Sequence, residues 1–328
     1  MTTTVKLGTT GPEVFPLGLG CAGFSGTYGA TSDAESIATV QAAIDAGVTL
    51  LDTGDFYGMG HNEMLVGKAI TGRRDKVQLS VKFGGMRAPN GAFIGFDTHP
   101  IAVKNFAAYS LKRLGVEAID VYRPARLDPA VPIEETIGAI VDLIKDGYVK
   151  HIGLSEVGVE TIQRANAVHP IVDLQIEYAI ATRAPEEKIF PALHELGMSA
   201  TLYGVLSRGL LSGSVVQGPQ DLRAHLPRFN GEHKAKNEAA VAALKEFADA
   251  RGITTAALAI AWVRAKEPRF VPIVGMRNRA QLAGSLKALE RSLTSDDLAE
   301  LEQIVPASAF AGDRYSAEQM AHLDSEKA

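Results

Sequence analysis

Asp52, Tyr57 and Lys82 are the residues whose types and spacing best suit proton chemistry. Asp52 lies in the apolar run 49–53, Lys82 lies inside the run 77–83, and Tyr57 falls in the intervening segment Gly54-Asp55-Phe56-Tyr57-Gly58. A lysine within a hydrophobic strand is costly to bury unless a carboxylate pairs with it, and Asp52 at a neighbouring strand end supplies one. A cationic Lys82 would favour the phenolate of Tyr57 and lower its pKa, fitting the phenol for general acid or base work. The same residues also suit a structural ion pair at a barrel rim beside an unrelated tyrosine. Spacing alone leaves both readings open.

These side chains need elements to place them. Short apolar runs recur at 17–20, 49–53, 77–83, 119–123, 151–155, 172–176, 199–203 and 270–274, most of them continuous over about five residues, as buried parallel strands require. Amphipathic stretches at 33–46, 102–114, 134–146, 159–167, 186–196 and 237–265 lie between them. Ser32 with Glu35 reads as a capping box, and Gly47, Gly115, Gly147 and Gly197 each follow a helix end. Eight strands alternating with helices predict a closed (β/α)8 TIM barrel over an open doubly wound sheet, since about 250 residues build such a barrel and the chain has room for insertions. Residues 5–7 and 14–15 flank Thr10-Gly11-Pro12 and predict an N-terminal β-hairpin closing the barrel floor. Extra helices are expected at the C-terminal end, and no linker divides residues 1–328, which read as a single domain. In a parallel barrel the chemistry belongs at the C-terminal strand ends, which is where Asp52 and Lys82 fall. Residues 213–236 are polar and aperiodic, and predict a long surface loop.

Composition narrows the function. Of 328 residues, 46% are hydrophobic and 22% charged, enough for a sizeable core, so a disordered or fibrous chain is excluded. With 33 basic against 38 acidic residues, the formal charge of −5 offers no basic excess to neutralise phosphate backbones, so nucleic acid is not an expected partner. Cys21 is the single cysteine, which excludes an internal disulfide and a cysteine zinc site; no metal is expected. No run approaches a membrane span and the N-terminus has no apolar segment, so a cytoplasmic setting without membrane contact is expected. Gly18-Leu-Gly20-Cys-Ala-Gly23 fits GxGxxG by letter, but the glycine-rich continuation to Gly29 cannot open a helix. It reads as a loop after the first strand. His61, His99, Trp262, Phe247 and Cys21 read as loop, turn or packing residues.

The run Asp52-Thr-Gly-Asp-Phe-Tyr57-Gly58, followed by Asn62-Glu63 and Lys82-Phe83-Gly84, resembles the aldo-keto reductase superfamily, in its branch of pyridoxal reductases and channel β subunits. The resemblance continues through Ser110-Leu-Lys-Arg-Leu-Gly115, Gly153-Leu-Ser155-Glu156, Gln175-Ile-Glu-Tyr178, the run from Tyr203 to Gly213, and Pro272-Ile-Val-Gly275-Met-Arg277-Asn278, covering residues 4 to 305. It implies an enzyme that reduces an aldehyde or ketone, with Asp52 and Lys82 tuning Tyr57 as proton donor and hydride arriving from nicotinamide. By the same resemblance Ser155 and Gln175 bind the carboxamide, and Tyr203 stacks on the nicotinamide ring. Leu206, Arg208 and Leu210 approach the pyrophosphate, while Gly275, Met276 and Arg277 hold the adenosine end, with Gln281 adding one polar contact. A guanidinium at 277 suits a 2′-phosphate, so NADPH is expected over NADH.

One departure stands out. Ala125 occupies the position where the family commonly places a tetrad histidine, removing one donor and widening the pocket floor. The expected consequence is turnover of simple aldehydes slower by ~10- to 1000-fold, or a substrate such as a bulky ketone that brings its own contacts. Strand alternation puts Arg123 one layer below residue 125 and turns Arg126 outward. Phe24, Phe93, Ala125 and Arg123 are the expected pocket residues, with Phe93 on the inserted loop 86–97. A Schiff-base aldolase using Lys82 and a cofactor-binding redox sensor are the alternative readings. The particular substrate and the oligomeric state are not legible.

Overall fold

In the computed structural model, described over residues 4–327 apart from Ala30, Gln217, Pro219 and Gln220, eight parallel strands close into a barrel. They are β1 (Gly18–Gly20), β2 (Leu50–Gly54), β3 (Gln78–Phe83), β4 (Ile119–Pro124), β5 (Val149–Ser155), β6 (Ile171–Glu177), β7 (Ser199–Tyr203) and β8 (Val271–Gly275), each hydrogen-bonded to its sequence neighbour and β8 to β1. This is the (β/α)8 TIM barrel expected from the alternating pattern. Helices surround it: α1 (Asp33–Asp45), α2 (His61–Ala69), α3 (Pro100–Leu114), α4 (Ile133–Lys145), α5 (Val159–Val168), α6 (Ile189–Glu195), α7 (Gly231–Ala250), α8 (Thr255–Lys266), α9 (Arg279–Ala288), α10 (Ser295–Ile304) and the short α11 (Ala317–Met320). No described helix is long and apolar enough to cross a membrane.

The N-terminal hairpin pairs Val5 with Val14. Its Leu7 and Val14 pack with Leu50, Val121, Val172, Val271 and Ile273, so an apolar layer drawn from β2, β4, β6 and β8 meets the hairpin and seals the floor. The larger core lies between the strands and the helices outside them.

Two expectations need correction. The stretch 237–265 is two helices, because Gly252 at φ 65° ends α7 and Thr254 caps α8. Residues 86–97, expected as an inserted loop, form most of a second hairpin, Gly85–Arg87 against Phe93–Phe96. The polar segment 213–236, whose positions 217, 219 and 220 lie outside the described residues, is tied down by a buried Arg223–Asp221 pair, and α7 already begins at Gly231.

Candidate active site

The register sets the centre. Asp52 lies opposite Ser80 and Gly54 opposite Lys82, so the missing side chain at Gly54 leaves Lys82 free to reach diagonally to Asp52. The Lys82 ammonium and an Asp52 carboxylate oxygen form a buried ion pair. The other Asp52 oxygen accepts hydrogen bonds from Ser80 Oγ and Gln175 Nε2, each 2.8 Å. Beneath them, Arg123 donates to Ser80 Oγ at 3.1 Å and to Asp173 at 2.9 Å. Thr201 then links Asp173 at 2.6 Å to Gln175 at 3.3 Å. Arg123, Ser80, Asp52, Gln175, Thr201 and Asp173 thus close a polar ring inside the barrel.

Tyr57 sits on the turn after β2, its ring edge-on to Phe56 and its centroid 5.3 Å from the Lys82 nitrogen. Among the described residues nothing hydrogen-bonds its hydroxyl. Asn62 fixes this turn: it accepts from Thr53 Oγ1 and donates to Cys21 O and Ser25 Oγ, joining β2 to the loop after β1. The expectation of an acidified phenol is overturned. Burial and the Asp52 charge carry the Tyr57 pKa well above 10, with only Arg126 opposing, because Lys82 spends its charge on Asp52. Burial likewise pushes the Lys82 pKa down, against the pull of Asp52.

The mouth above this centre contains the remaining expected residues. Ser155 ends β5 beside Gln175, whose Oε1 is buried without a partner among the described residues. Tyr203 ends β7, and its hydroxyl donates to Glu156 at 2.6 Å. The loop after β7 brings Leu206, Arg208 and Leu210 together. Ser207 and Arg208 hold φ values of 46° and 56°, and Ser207 Oγ is buried without a hydrogen-bond partner among the described residues. Arg208 reaches Glu177 at 2.8 Å. Gly275, Met276 and Arg277 follow β8. Arg277 donates to Tyr28 O at 2.7 Å, and its own N–H donates to Gln281 Oε1. Non-glycine residues with positive φ among those described are Met59, Glu156, Ser207 and Arg208, all in loops at C-terminal strand ends. Backbone strain concentrated in this way marks a site over-determined by its surroundings.

The barrel holds a buried Asp52–Lys82 pair and, on the turn after β2, a tyrosine hydroxyl without a hydrogen-bond partner among the described residues, and the aldo/keto reductase family model matches residues 16–306. The chain belongs to the aldo/keto reductase family. This reductase is 40% identical over 317 residues to probable aldo-keto reductase 1 of Glycine max, covering 95% of this chain and 91% of that protein. Its structure resembles the glycerol dehydrogenase AKR11B4 from Gluconobacter oxydans, with a TM-score of 0.84, 28% identity and coverage of 93% and 97% of the two chains. It also resembles the aldo-keto reductase AKR11C1 from Bacillus halodurans in its holo form, with a TM-score of 0.79, 26% identity and coverage of 94% and 97%. The reductase is accordingly an oxidoreductase whose family couples a nicotinamide cofactor to small-molecule carbonyl reduction.

Not every expected pocket residue lies in the open mouth. Phe24 is 1% exposed within the main core, and Arg123 is fully buried in the polar ring, so neither forms an open wall. Phe93 is 42% exposed on the second hairpin, near His322 of the C-terminal segment. Ala125 is buried at the end of β4, donating its N–H to Phe83 O. Arg126 does not turn outward. Pro124 breaks strand alternation, and the Arg126 guanidinium folds inward to Ala125 O at 2.6 Å and Ser155 Oγ at 3.3 Å.

The sequence reading missed the C-terminal strap. Residues 310–327 cross the mouth, with Arg314 forked onto Glu156 and also bound to Glu326. Tyr315 meets the Tyr203 hydroxyl at 2.9 Å, and Asp324 accepts from Gly158 N and Thr161. Burial alone would raise the Glu156 pKa, but the charge and hydrogen bonds of Arg314 outweigh it and bring the group to about 2. A lone arginine near the C-terminus gave no local signal of a partner more than 150 residues earlier.

Proposed function

We propose that the chain reduces an aldehyde or ketone to the alcohol, taking hydride from NADPH and a proton from Tyr57. The observation that carries this reading is the unpartnered Tyr57 hydroxyl in the mouth, beside a Lys82–Asp52 pair that Ser80 and Gln175 hold in place. The site chemistry suits the dinucleotide. Among the described residues, the Gln175 Oε1 acceptor and the Ser207 hydroxyl, a donor as well as an acceptor, are buried without a partner, and Arg277 stands before α9 with no carboxylate within 4 Å. Bound there, the cofactor supplies the hydride.

Ser155 and Gln175 would hold the carboxamide, and the Tyr203 ring would set which face of the nicotinamide meets substrate. Leu206, Arg208 and Leu210 would border the pyrophosphate. Gly275, Met276, Arg277 and Gln281 would border the adenosine, with the free part of the Arg277 fork on a 2′-phosphate. Because its pKa lies above 10, the Tyr57 phenol keeps its proton at neutral pH. It releases that proton only to the far more basic oxygen formed as hydride reaches the carbonyl carbon. A Schiff-base role requires a neutral, unengaged Lys82, whereas its nitrogen is tied to Asp52. Ala125 supplies no donor to the carbonyl, its methyl being buried at the end of β4.

Cofactor consumption across a panel of aldehydes and bulky ketones, with dissociation constants for NADPH and NADH, tests the reading. Turnover is expected with NADPH bound more tightly, and Arg277→Met should erase most of that preference. Absence of turnover with either cofactor would overturn the assignment.

A further inference from the structure

We propose that Arg126 anchors a carboxylate on the substrate, so that the favoured substrates are oxo acids and carboxylate-bearing aldehydes. The proposal rests on the carbonyl-reductase reading and adds a substrate class to it. The argument is one of unmatched charge. Around the mouth, Lys82 is paired with Asp52, Arg208 and Arg228 with Glu177, Arg314 with Glu156, and the deeper Arg123 with Asp173. Among the described residues, Arg126 and Arg277 have no carboxylate within 4 Å. Arg277, beyond β8, has the cofactor phosphate as its expected anion. Arg126 lies at the opposite side, beside Ser155, where the expected cofactor group is a neutral carboxamide.

The guanidinium of Arg126 is also under-used. Nη1 donates to Ala125 O and Ser155 Oγ, Nη2 reaches Tyr315 Oη at 3.5 Å, and Nε makes no hydrogen bond among the described residues. Glu156, the acid whose charge Arg126 feels, is already occupied by Arg314, Tyr203 and Ser325. A half-buried cation with spare donors is stabilised by an anion that enters with a ligand. The charge of Arg126 reaches both Tyr57 and Lys82, which puts this anion site on the same mouth as the reacting carbonyl. A carboxylate matches the planar fork, and its single negative charge balances one guanidinium, whereas a phosphate would leave charge unmatched.

The test compares kcat/KM for 4-carboxybenzaldehyde and its methyl ester in the native protein, Arg126→Met and Arg126→Lys. Calorimetric binding of benzoate to each protein with NADP+ is measured alongside. The acid should be preferred over the ester at least ~10-fold, and Arg126→Met should reduce this ratio by ~10- to 100-fold through KM, as loss of a charged hydrogen-bonded pair implies. Arg126→Lys should restore part of the ratio, and benzoate binding should weaken in parallel. An acid-to-ester ratio that Arg126→Met leaves unchanged overturns the proposal, as does benzoate binding independent of Arg126. If no carbonyl compound is reduced while benzoate binding still depends on Arg126, the anion site stands and the reductase reading fails.

Discussion

Breaking the buried Arg123–Asp173 pair should destabilise the barrel more than removing it altogether. Both side chains are 0% exposed and 2.9 Å apart. Replacing Arg123 by Met leaves the Asp173 carboxylate buried, with Thr201 as its remaining side-chain donor. Such a stranded charge costs about 3–5 kcal/mol. For 328 residues the unfolding entropy is about 0.7 kcal/mol/K, so Tm should fall by roughly 4–7 °C. Asp173→Leu should cost a similar amount by stranding Arg123. The double variant should cost less than either single, because Ser80 keeps Asp52 and Thr201 keeps Gln175 as partners. Gly153→Ala gives an independent check: a methyl there would lie 2.8 Å from both Arg123 Cζ and Asp173 Oδ1, forcing the pair apart. Thermal and urea unfolding of the four proteins measure these effects. Single variants costing under about 1 kcal/mol, or a double variant costing the sum of the singles, would refute the reasoning.

Three further outcomes are expected. Burial, aided by Glu63, raises the Asp55 carboxyl to about 7. The folded state therefore binds more protons than the unfolded state between about pH 4 and 7, and stability falls as pH rises through that window. Asp55→Asn should remove this loss, worth at most about 4 kcal/mol, and flatten the Tm profile; an unchanged profile would refute the assignment. Glu156 is depressed to about 2, so its stabilisation is present above its unfolded value and is lost as pH falls below 4.5. Glu156→Gln should loosen the strap, read as faster proteolytic cleavage within residues 310–327, while equal cleavage rates would contradict the latch. Ala125→His should raise turnover of simple aldehydes by ~10-fold or more if the missing donor limits the rate, and an unchanged rate would remove position 125 from the account.

Much of the fold was legible because buried parallel strands are short continuous apolar runs, and every observed barrel strand lies within about two residues of such a run. Helix α2 escaped notice because it is nine residues long and its first buried turn is polar: Asn62 and Glu63 are wholly buried beside Leu65, Val66 and Ala69, and hydrophobic periodicity does not register the polar pair. Asp52 and Lys82 were recognisable as a pair because a lysine inside an apolar run demands a counter-charge. The Arg123–Asp173 pair and the Arg314 latch join residues 50 and 158 positions apart, and a single sequence contains no local mark of such contacts. The ionisation of Tyr57 was misread for a related reason. Pairing Lys82 with Asp52 neutralises the charge assigned to acidify the phenol, and burial then decides its direction.

The most direct test of the central claim is single-turnover reduction of an aldehyde by the NADPH-loaded native protein and by Tyr57→Phe, with NADPH binding measured on the same samples. The account predicts that Tyr57→Phe binds NADPH normally but transfers hydride at least ~100-fold more slowly, because the nascent alkoxide has lost its proton donor. Hydride transfer at the native rate in Tyr57→Phe would contradict it.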